Sequence, residues 1–166
     1  GPYATFAVHD PRPRLVAAAP FEDRVVHHAM VRAIGPMLDR RLPAACVACR
    51  AGRGGAASKD LLLRGCRSAK AVWYAKCDVR RYFASVRHGV LDRQLAPLCG
   101  DDGARALVRA LLASWHTEGV PGHGIPIGNL TSQLFANAYL MGVDHYMQRT
   151  ARAQGYIRYV DDMVWF

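Results

Sequence analysis

The stretch Tyr156–Phe166, YIRYVDDMVWF, places two adjacent aspartates in the middle of an apolar, β-branched and aromatic run. Adjacent carboxylates repel each other, and burying them without a positive partner is costly. Asp161 and Asp162 divide the run into two strand-like halves, and aspartate tolerates the geometry of a tight turn. The pattern predicts a β-hairpin with the two aspartates at its tip. A solvated turn without any further role is the simpler interpretation.

A third carboxylate follows another strand-like run. Asp78 lies near the end of the segment 71–79, AVWYAKCDV. If this strand is a neighbour of the closing hairpin, three carboxylates meet at one edge of a sheet and resist ionisation unless divalent cations bind between them. Mg²⁺ prefers oxygen ligands, and two such ions about 4 Å apart can clamp the attacking and leaving oxygens of a phosphoryl transfer. The sequence therefore predicts a magnesium site, provided that the two strands are adjacent.

Length and charge narrow the function classes. The 166 residues are enough for one domain with a substantial core. Lys and Arg number 22 against 13 Asp and Glu, giving a net charge of +9. This excess favours a polyanionic partner, nucleic acid before a membrane, although a basic surface without a partner is the alternative.

The hydropathy pattern predicts a cytoplasmic protein that does not associate with membranes. No apolar run approaches the roughly 20 residues needed to span a bilayer, and no signal-peptide pattern opens the chain. Because the chain begins with Gly1 and stops directly after a strand-like run, we expect a fragment of a longer protein.

The five cysteines are odd in number and irregularly spaced, which favours reduced thiols. Cys46 and Cys49 have the spacing of a zinc knuckle, but no second pair completes four ligands. A structural zinc site is therefore the less favoured alternative.

Apolar spacing predicts helices between the strands. The first is expected to be capped by Asp23 and to be kinked or ended near Pro36. Further helices are expected around 61–63, after Ser85, after Asp101 and Asp102, and from Thr131 or Ser132. Strands separated by helices indicate an α+β or α/β sheet protein.

Several blocks resemble known motifs of reverse transcriptases. Tyr159–Asp162 (YVDD) matches their YxDD box, and Lys76–Phe83 (KCDVRRYF) is similar to their first palm motif, an aspartate followed five positions later by an aromatic residue. The segments 12–16 (RPRLV), 19–28 (APFEDRVVHH) and 48–54 (ACRAGRG) resemble the fingers blocks of the bacterial, group II intron-like branch. The blocks occur in order over nearly the whole chain.

The segment 125–133 resembles one particular branch of the reverse transcriptases. Most of the family has Gln-Gly followed by Ser-Pro, whereas the segment 125–133 reads IPIGNLTSQ, with Ile127 in place of that Gln and Gln133 in place of the Pro. IGxxxSQ is similar to the reverse transcriptases of diversity-generating retroelements, which copy a template RNA into cDNA with frequent errors at adenines. Ile127 cannot make the hydrogen bonds of a Gln, so we expect weaker discrimination between correct and incorrect base pairs. The preference for adenine does not follow from this reasoning.

The resemblance implies an α+β fold, namely a fingers-and-palm fragment of a right-hand polymerase with an antiparallel palm sheet backed by helices and without a thumb. Residues 1–70 and 98–126 would be fingers, and residues 71–97 and 127–166 would be palm. The implied partners are template RNA, the primer or cDNA, dNTPs and a basic accessory protein of the retroelement. The implied source is a bacterium, a phage or a mobile element.

The resemblance also implies roles for individual residues. The metal site would comprise Asp78, Val79, Asp161 and Asp162, with the three aspartates as the catalytic residues and two Mg²⁺ ions, or Mn²⁺ as an alternative, as cofactor. The nucleotide-binding residues would be Arg14 (or Arg12, if the register differs by two), Phe83, Ile127 and Gly128. Contacts to primer and template would come from Arg50, Arg53, Gln133 and Tyr159.

Other interpretations stay open at this point. The chain could be a group II intron, retron or CRISPR-associated reverse transcriptase, or an RNA-binding fragment without catalytic activity. Phe83 could be a core aromatic instead of a gate that excludes a ribose 2′-hydroxyl, and Arg12 and Arg14 could be solvated charges. Trp73, Trp115 and Trp165 are expected in the core.

Overall fold

The computed structural model describes residues 1–9, 13–69 and 73–166 of the chain. It is a mixed α+β structure with two antiparallel sheets. The elements in chain order are β1 (Ala4–His9), β2 (Pro13–Ala18), α1 (Phe21–Arg41), α2 (Gly55–Ala69), β3 (Ala75–Cys77), α3 (Tyr82–Ser85), α4 (His88–Leu95), a 3₁₀ helix (Ala96–Leu98), α5 (Asp102–Ala113), α6 (Leu130–Arg149), β4 (Ile157–Tyr159) and β5 (Asp162–Trp165). No helix among the described residues is long and apolar enough to cross a membrane.

The second sheet has three strands in the order β3-β5-β4. β4 and β5 form the predicted hairpin, but only Asp161 lies in its turn, because Asp162 is the first residue of β5 and pairs with Tyr159. β3 runs antiparallel to β5, with Cys77 opposite Met163. The adjacency of the two strand regions, on which the metal-site hypothesis depended, is therefore confirmed.

The outer edge of β4 is covered by the loop that follows α1. The amide of Arg158 donates to the carbonyl of Ala45 at 2.9 Å, and the amide of Val47 donates to the carbonyl of Arg158 at 3.0 Å. These bonds satisfy main-chain groups that would otherwise be left open at the edge of the sheet.

The long helices α1 and α6 pack against each other and build much of the core. α1 begins at Phe21 after Pro20 instead of at Asp23, which lies in the first turn and pairs with the N-terminal amino group at 2.7 Å. Pro36 lies inside α1, which continues to Arg41. α6 begins at Leu130, slightly before the predicted start.

Shorter helices complete the core. Asp101 caps α5 as predicted, because its carboxylate accepts the amide of Ala104 at 2.7 Å. The residues at the centre of the core are Met30, Ile34, Leu38, Tyr82, Leu91, Leu95, Val108, Leu112 and Phe135. The expectation that Trp73 belongs to this core is wrong: its side chain is 84% exposed, just before β3. Trp165 is half-buried in β5.

Candidate active site

The turn between β4 and β5 has an unusual backbone conformation at the residue before Asp161. Val160 and Asp161 connect Tyr159 to Asp162, and Val160 has φ +58°. A β-branched residue rarely occupies this left-handed region, since its Cβ crowds the backbone there. The surrounding structure must therefore hold the turn in place.

Three carboxylates meet beside this turn. Asp78 directly follows β3, and the pairing of Cys77 with Met163 brings it next to Asp162. The side chains line an open cleft of about 450 Å³ whose lining residues are Arg14, Lys76, Cys77, Asp78, Asp161 and Asp162. The thiol of Cys77 is free.

The electrostatics of the cleft centre on Asp161. Partial burial raises the pKa of this carboxyl, and the neighbouring charges of Asp78 and Asp162 raise it further, while a main-chain hydrogen bond opposes them. Asp162 has a positive neighbour, since its Oδ1 lies 3.4 Å from Lys76 Nζ and both side chains are at least half exposed. The uncompensated negative charge is thus concentrated at Asp161 and Asp78.

The donor set has the chemistry that Mg²⁺ prefers, since its ligands would all be oxygen atoms. Within the described parts of the chain, however, no group of three or more His, Cys, Asp or Glu side chains is arranged to hold a metal ion. Asp162 lines the cleft with the other two aspartates, but its carboxylate is also paired with Lys76. Val79 packs its aliphatic side chain against the core, and its main-chain carbonyl is the group that could serve as a ligand.

Arg14 reaches the acidic cleft from the N-terminal hairpin. It lies on β2 and lines the cleft with the aspartates. The alternative position, Arg12, lies outside the described residues.

The segment 127–129 holds β2 in this place. The amide of Ala17 donates to the carbonyl of Ile127 at 2.7 Å, and Asn129 Nδ2 donates to the carbonyl of Ala17 at 3.1 Å. Gly128 has φ +115°, and a Cβ atom there would lie 2.6 Å from Val16 Cγ1. A glycine at this position is required by both the backbone conformation and the close approach of β2.

The side chains of Phe83 and Ile127 line a second, more apolar cleft of about 460 Å³. Phe83 is half-buried and packs edge-on against Tyr82, with ring centroids 5.7 Å apart. Its carbonyl accepts the amide of Ile125 at 2.9 Å. Phe83 therefore belongs partly to the core and partly to the cleft, so the two interpretations of this residue do not exclude each other.

Arg50, which the resemblance assigns to primer and template contacts, has its charge inside the protein. Its side chain is only 5% exposed. Its guanidinium donates to the Asp39 carboxylate at 2.5 Å and to the carbonyls of Asp39, Pro43 and Cys46 at 2.7–3.0 Å. The residue fixes the loop after α1, because nearly all of its donors are used inside the protein.

The other residues predicted to contact primer and template are exposed. Arg53 donates to the carbonyl of Ala44 at 3.1 Å but faces solvent, as does Gln133 in the first turn of α6. Tyr159 is 49% exposed at the end of β4, directly before the turn. None of the three is among the described residues that line the acidic cleft.

The cysteine pair behaves as free thiols. Cys46 is buried, and burial raises the pKa of its thiol to about 11. Cys49 is exposed, and no metal-binding cluster that includes either thiol occurs among the described residues.

Sequence reasoning missed a buried ion pair behind the turn. Arg158 belongs to the quoted stretch, yet its side chain has no exposed surface and pairs with the equally buried Asp144 of α6. The available signal was a lone aspartate in an otherwise apolar part of that helix. A charged side chain that is surrounded by apolar helix positions usually has a buried partner.

Comparisons with known proteins agree with the fold. No protein-family model matches the chain, and no curated protein matches it. Among solved structures, the chain is similar to an apo telomerase from Candida tropicalis that is truncated from the C-terminal domain, with a TM-score of 0.67 and 10% sequence identity. The fold is similar to part of a telomerase. The match covers 98% of this chain and 43% of the telomerase chain, so the chain spans less than half of that protein's length.

Proposed function

We propose that the chain is part of an RNA-directed DNA polymerase, a reverse transcriptase, whose nucleotidyl transfer takes place in the acidic cleft. The observation that carries the proposal is the juxtaposition of Asp78 with Asp161 and Asp162 at the adjoining ends of β3 and β5. The similarity of the fold to a telomerase supports it, since a telomerase is a polymerase of the same general kind.

The proposed reaction is attack of a primer 3′-hydroxyl on the α-phosphate of a dNTP, with pyrophosphate leaving. Two bound Mg²⁺ ions, or Mn²⁺ in their place, would lower the pKa of the hydroxyl and neutralise charge on the triphosphate. Asp78 and Asp161 are the carboxylates that would hold these ions, with Asp162 and the Val79 carbonyl beside them. Arg14 faces the same cleft and would bind the triphosphate through charge-assisted hydrogen bonds.

The division into subdomains is part of the same proposal. Residues 1–70 and 98–126 would be fingers, and residues 71–97 and 127–166 would be palm. Two features support this division. The three-stranded sheet that carries the aspartates consists of elements from the proposed palm. Arg14 approaches it from a separate hairpin in the proposed fingers.

The proposed subtype is the error-prone enzyme of a diversity-generating retroelement. The IGNLTSQ block supports it, and the structure separates the roles of its first three residues. Gly128 and Asn129 dock β2, whereas the Ile127 side chain lies in the cleft with Phe83. Phe83 would pack against the sugar and exclude a 2′-hydroxyl, and Ile127 would lie beside the nucleotide. A group II intron, retron or CRISPR-associated enzyme is the alternative within the same class.

A second candidate is an RNA-binding protein without catalysis. The ion pair of Asp162 with Lys76 favours it, because it gives one of the three carboxylates a partner other than a metal ion. In both cases the net charge of +9 suits template RNA and primer as partners, with dNTPs and a basic accessory protein added in the polymerase case. We propose a cytoplasmic location for either function.

Primer extension separates the two candidates. The full-length protein is incubated with a primed RNA template, Mg²⁺ and dNTPs. The polymerase proposal predicts cDNA whose sequence follows the template. Retention of the RNA in a gel-shift assay without any extension, in Mg²⁺ and in Mn²⁺, would favour the RNA-binding candidate.

A further inference from the structure

A polar cluster lies inside the protein behind the hairpin that carries Asp161. Arg158 and Asp144 form a two-point ion pair, with Nε to Oδ1 at 2.7 Å and Nη2 to Oδ2 at 2.6 Å, and neither side chain is exposed. The hydroxyl of Tyr156 donates to the same Oδ1 at 2.8 Å. The positive charge of Arg158 compensates the negative charge of Asp144, and both carboxylate oxygens accept hydrogen bonds within the cluster.

The Arg158 guanidinium also binds the main chain of the turn and of α6. Its Nη1 donates to the carbonyl of Val160 in the turn at 2.8 Å, and its Nη2 donates to the carbonyl of Asn137 in α6 at 3.2 Å. Val160 is the residue with φ +58°, and its carbonyl belongs to the peptide bond that leads into Asp161. A charged donor therefore fixes the strained peptide immediately before the proposed catalytic carboxylate.

We propose that Arg158, held by Asp144, is a positioning residue that sets the conformation of the Val160–Asp161 turn and thereby the place of the Asp161 carboxylate. The proposal rests on the proposed function for its effect on catalysis, although its structural part does not. Arg158 touches no substrate and acts only through the turn.

Stability alone does not explain such a cluster. A buried ion pair often contributes no more to stability than well-packed apolar residues of similar volume, because desolvation offsets the attraction between the charges. An apolar replacement cannot donate to the Val160 carbonyl. Replacing the whole cluster with apolar side chains therefore separates a contribution to stability from the positioning of the turn.

The test uses the full-length protein with Tyr156→Phe, Asp144→Leu and Arg158→Met combined, so that none of the three positions keeps a polar group without its partner. The control combines Asp92→Leu with Arg105→Met and Arg109→Met, which removes the cluster of charged side chains that joins α4 and α5 away from the cleft. Chemical denaturation, hydrogen exchange of peptides that contain residues 157–162, and the kcat and KM of primer extension are measured for each protein.

The triple variant is expected to unfold cooperatively at nearly the denaturant concentration of the wild type. Exchange in the turn should accelerate by about tenfold to a hundredfold, which corresponds to the loss of one hydrogen bond from a charged donor. The kcat should fall by a similar factor, and the KM for dNTP should stay unchanged, because the substrate contacts remain. Wild-type exchange and wild-type kcat in the triple variant would overturn the proposal.

A second variant, Arg158→Lys, tests the proposal if the triple variant does not fold. Arg158→Lys keeps a positive charge near Asp144 but cannot reach both that carboxylate and the Val160 carbonyl. The proposal predicts faster exchange of the turn and lower kcat here too, and wild-type values contradict it. If the wild type extends no primer, the proposed function fails, while the exchange measurement still decides whether Arg158 positions the turn.

Discussion

Asp161 is the residue at which the proposed function and the stability of the protein are opposed. Its pKa is raised by partial burial and by the charges of Asp78 and Asp162, so its ionised form is disfavoured in the folded protein. A site that concentrates negative charge in this way is poised to bind cations, at a cost to the stability of the cation-free protein.

Asp161→Asn is therefore expected to stabilise the protein at neutral pH in the presence of EDTA. The gain should be on the order of 0.5 kcal/mol, typical of one partly solvated charge interaction. The folded wild type binds the proton of the Asp161 carboxyl more tightly than the unfolded chain does. The ionised carboxylate therefore does not destabilise the wild type at low pH, and its destabilising effect appears as the pH rises through the pKa of folded Asp161. Urea denaturation at several pH values measures the difference between variant and wild type.

Asp92→Asn is the control with the opposite sign. Hydrogen bonds from Arg109 lower the pKa of Asp92, so its contribution is stabilising above the pKa of the unfolded chain and is lost as the pH falls. This variant should be less stable than the wild type at neutral pH. Changes of equal size and the same sign in the free energy of unfolding of both variants would contradict the account of Asp161.

Ile127 tests the proposed subtype at the same scale. Ile127→Gln restores a side chain that can hydrogen-bond to the sugar or backbone of an incoming nucleotide, so we expect fewer misincorporations during primer extension on RNA. Sequencing of the cDNA measures the error rate at each template base. Leu130→Gln is the matched control, because Leu130 is equally exposed, at 36%, and does not line the cleft.

Either of two results would count against the retroelement subtype. One is a wild-type enzyme whose errors are spread evenly over the four template bases. The other is an error rate that Ile127→Gln leaves unchanged.

At the scale of elements, the contact between β2 and the segment 127–129 links the two clefts. It places Arg14 in the acidic cleft with the aspartates and Ile127 in the second cleft with Phe83. Gly128 is the residue that permits this contact, since any side chain there would overlap Val16.

Gly128→Ala is expected to destabilise the protein by about 1–3 kcal/mol, from the strained φ and the overlap with Val16. Gly142→Ala is the control, because Gly142 lies in α6 with open space where a Cβ would lie and should gain up to about 1 kcal/mol from helix propensity. Denaturant midpoints compare the two variants. A Gly128→Ala protein as stable as the wild type would show that β2 does not dock as described.

The elements also show what the sequence could predict. The β4–β5 hairpin was predictable because its signal is local, a break of two aspartates between apolar runs. The start of α1 was not placed correctly, because Pro20 already ends the preceding extended segment and allows the helix to begin at Phe21. The burial of Arg50 was not predictable, because its partner, Asp39, lies in a different element.

The ion pair of Arg158 with Asp144 shows a second kind of limit. The two aspartates of the turn had no cation beside them in the sequence, although Arg158 stands only three residues before Asp161. Arg158 lies in β4 and Asp161 in the turn that follows it, and the Arg158 side chain is buried beside Asp144 instead. The burial of Arg158 against α6 was not predictable from the sequence, because it depends on how the sheet packs on that helix.

At the scale of the whole molecule, local motifs and tertiary packing contribute different parts of the site. The motifs predicted which carboxylates meet, and the packing of β3 beside β5 brings them together. The sequence did not predict that Lys76 would pair with Asp162, since that contact depends on the register of the two strands. The similarity to part of a telomerase extends over 98% of the chain and is a property of this overall arrangement.

The most direct test of the central claim is single-turnover primer extension on an RNA template by the full-length protein, with and without Asp161→Ala. Asp60→Asn is the control, because Asp60 is exposed on α2 and does not line the cleft. The account predicts Mg²⁺-dependent cDNA synthesis by the wild type and the control, and a loss of at least about a hundredfold in Asp161→Ala, as for groups that stabilise transition-state charge. Extension by Asp161→Ala at the rate of the wild type would contradict the assignment of the acidic cleft as the site of nucleotidyl transfer.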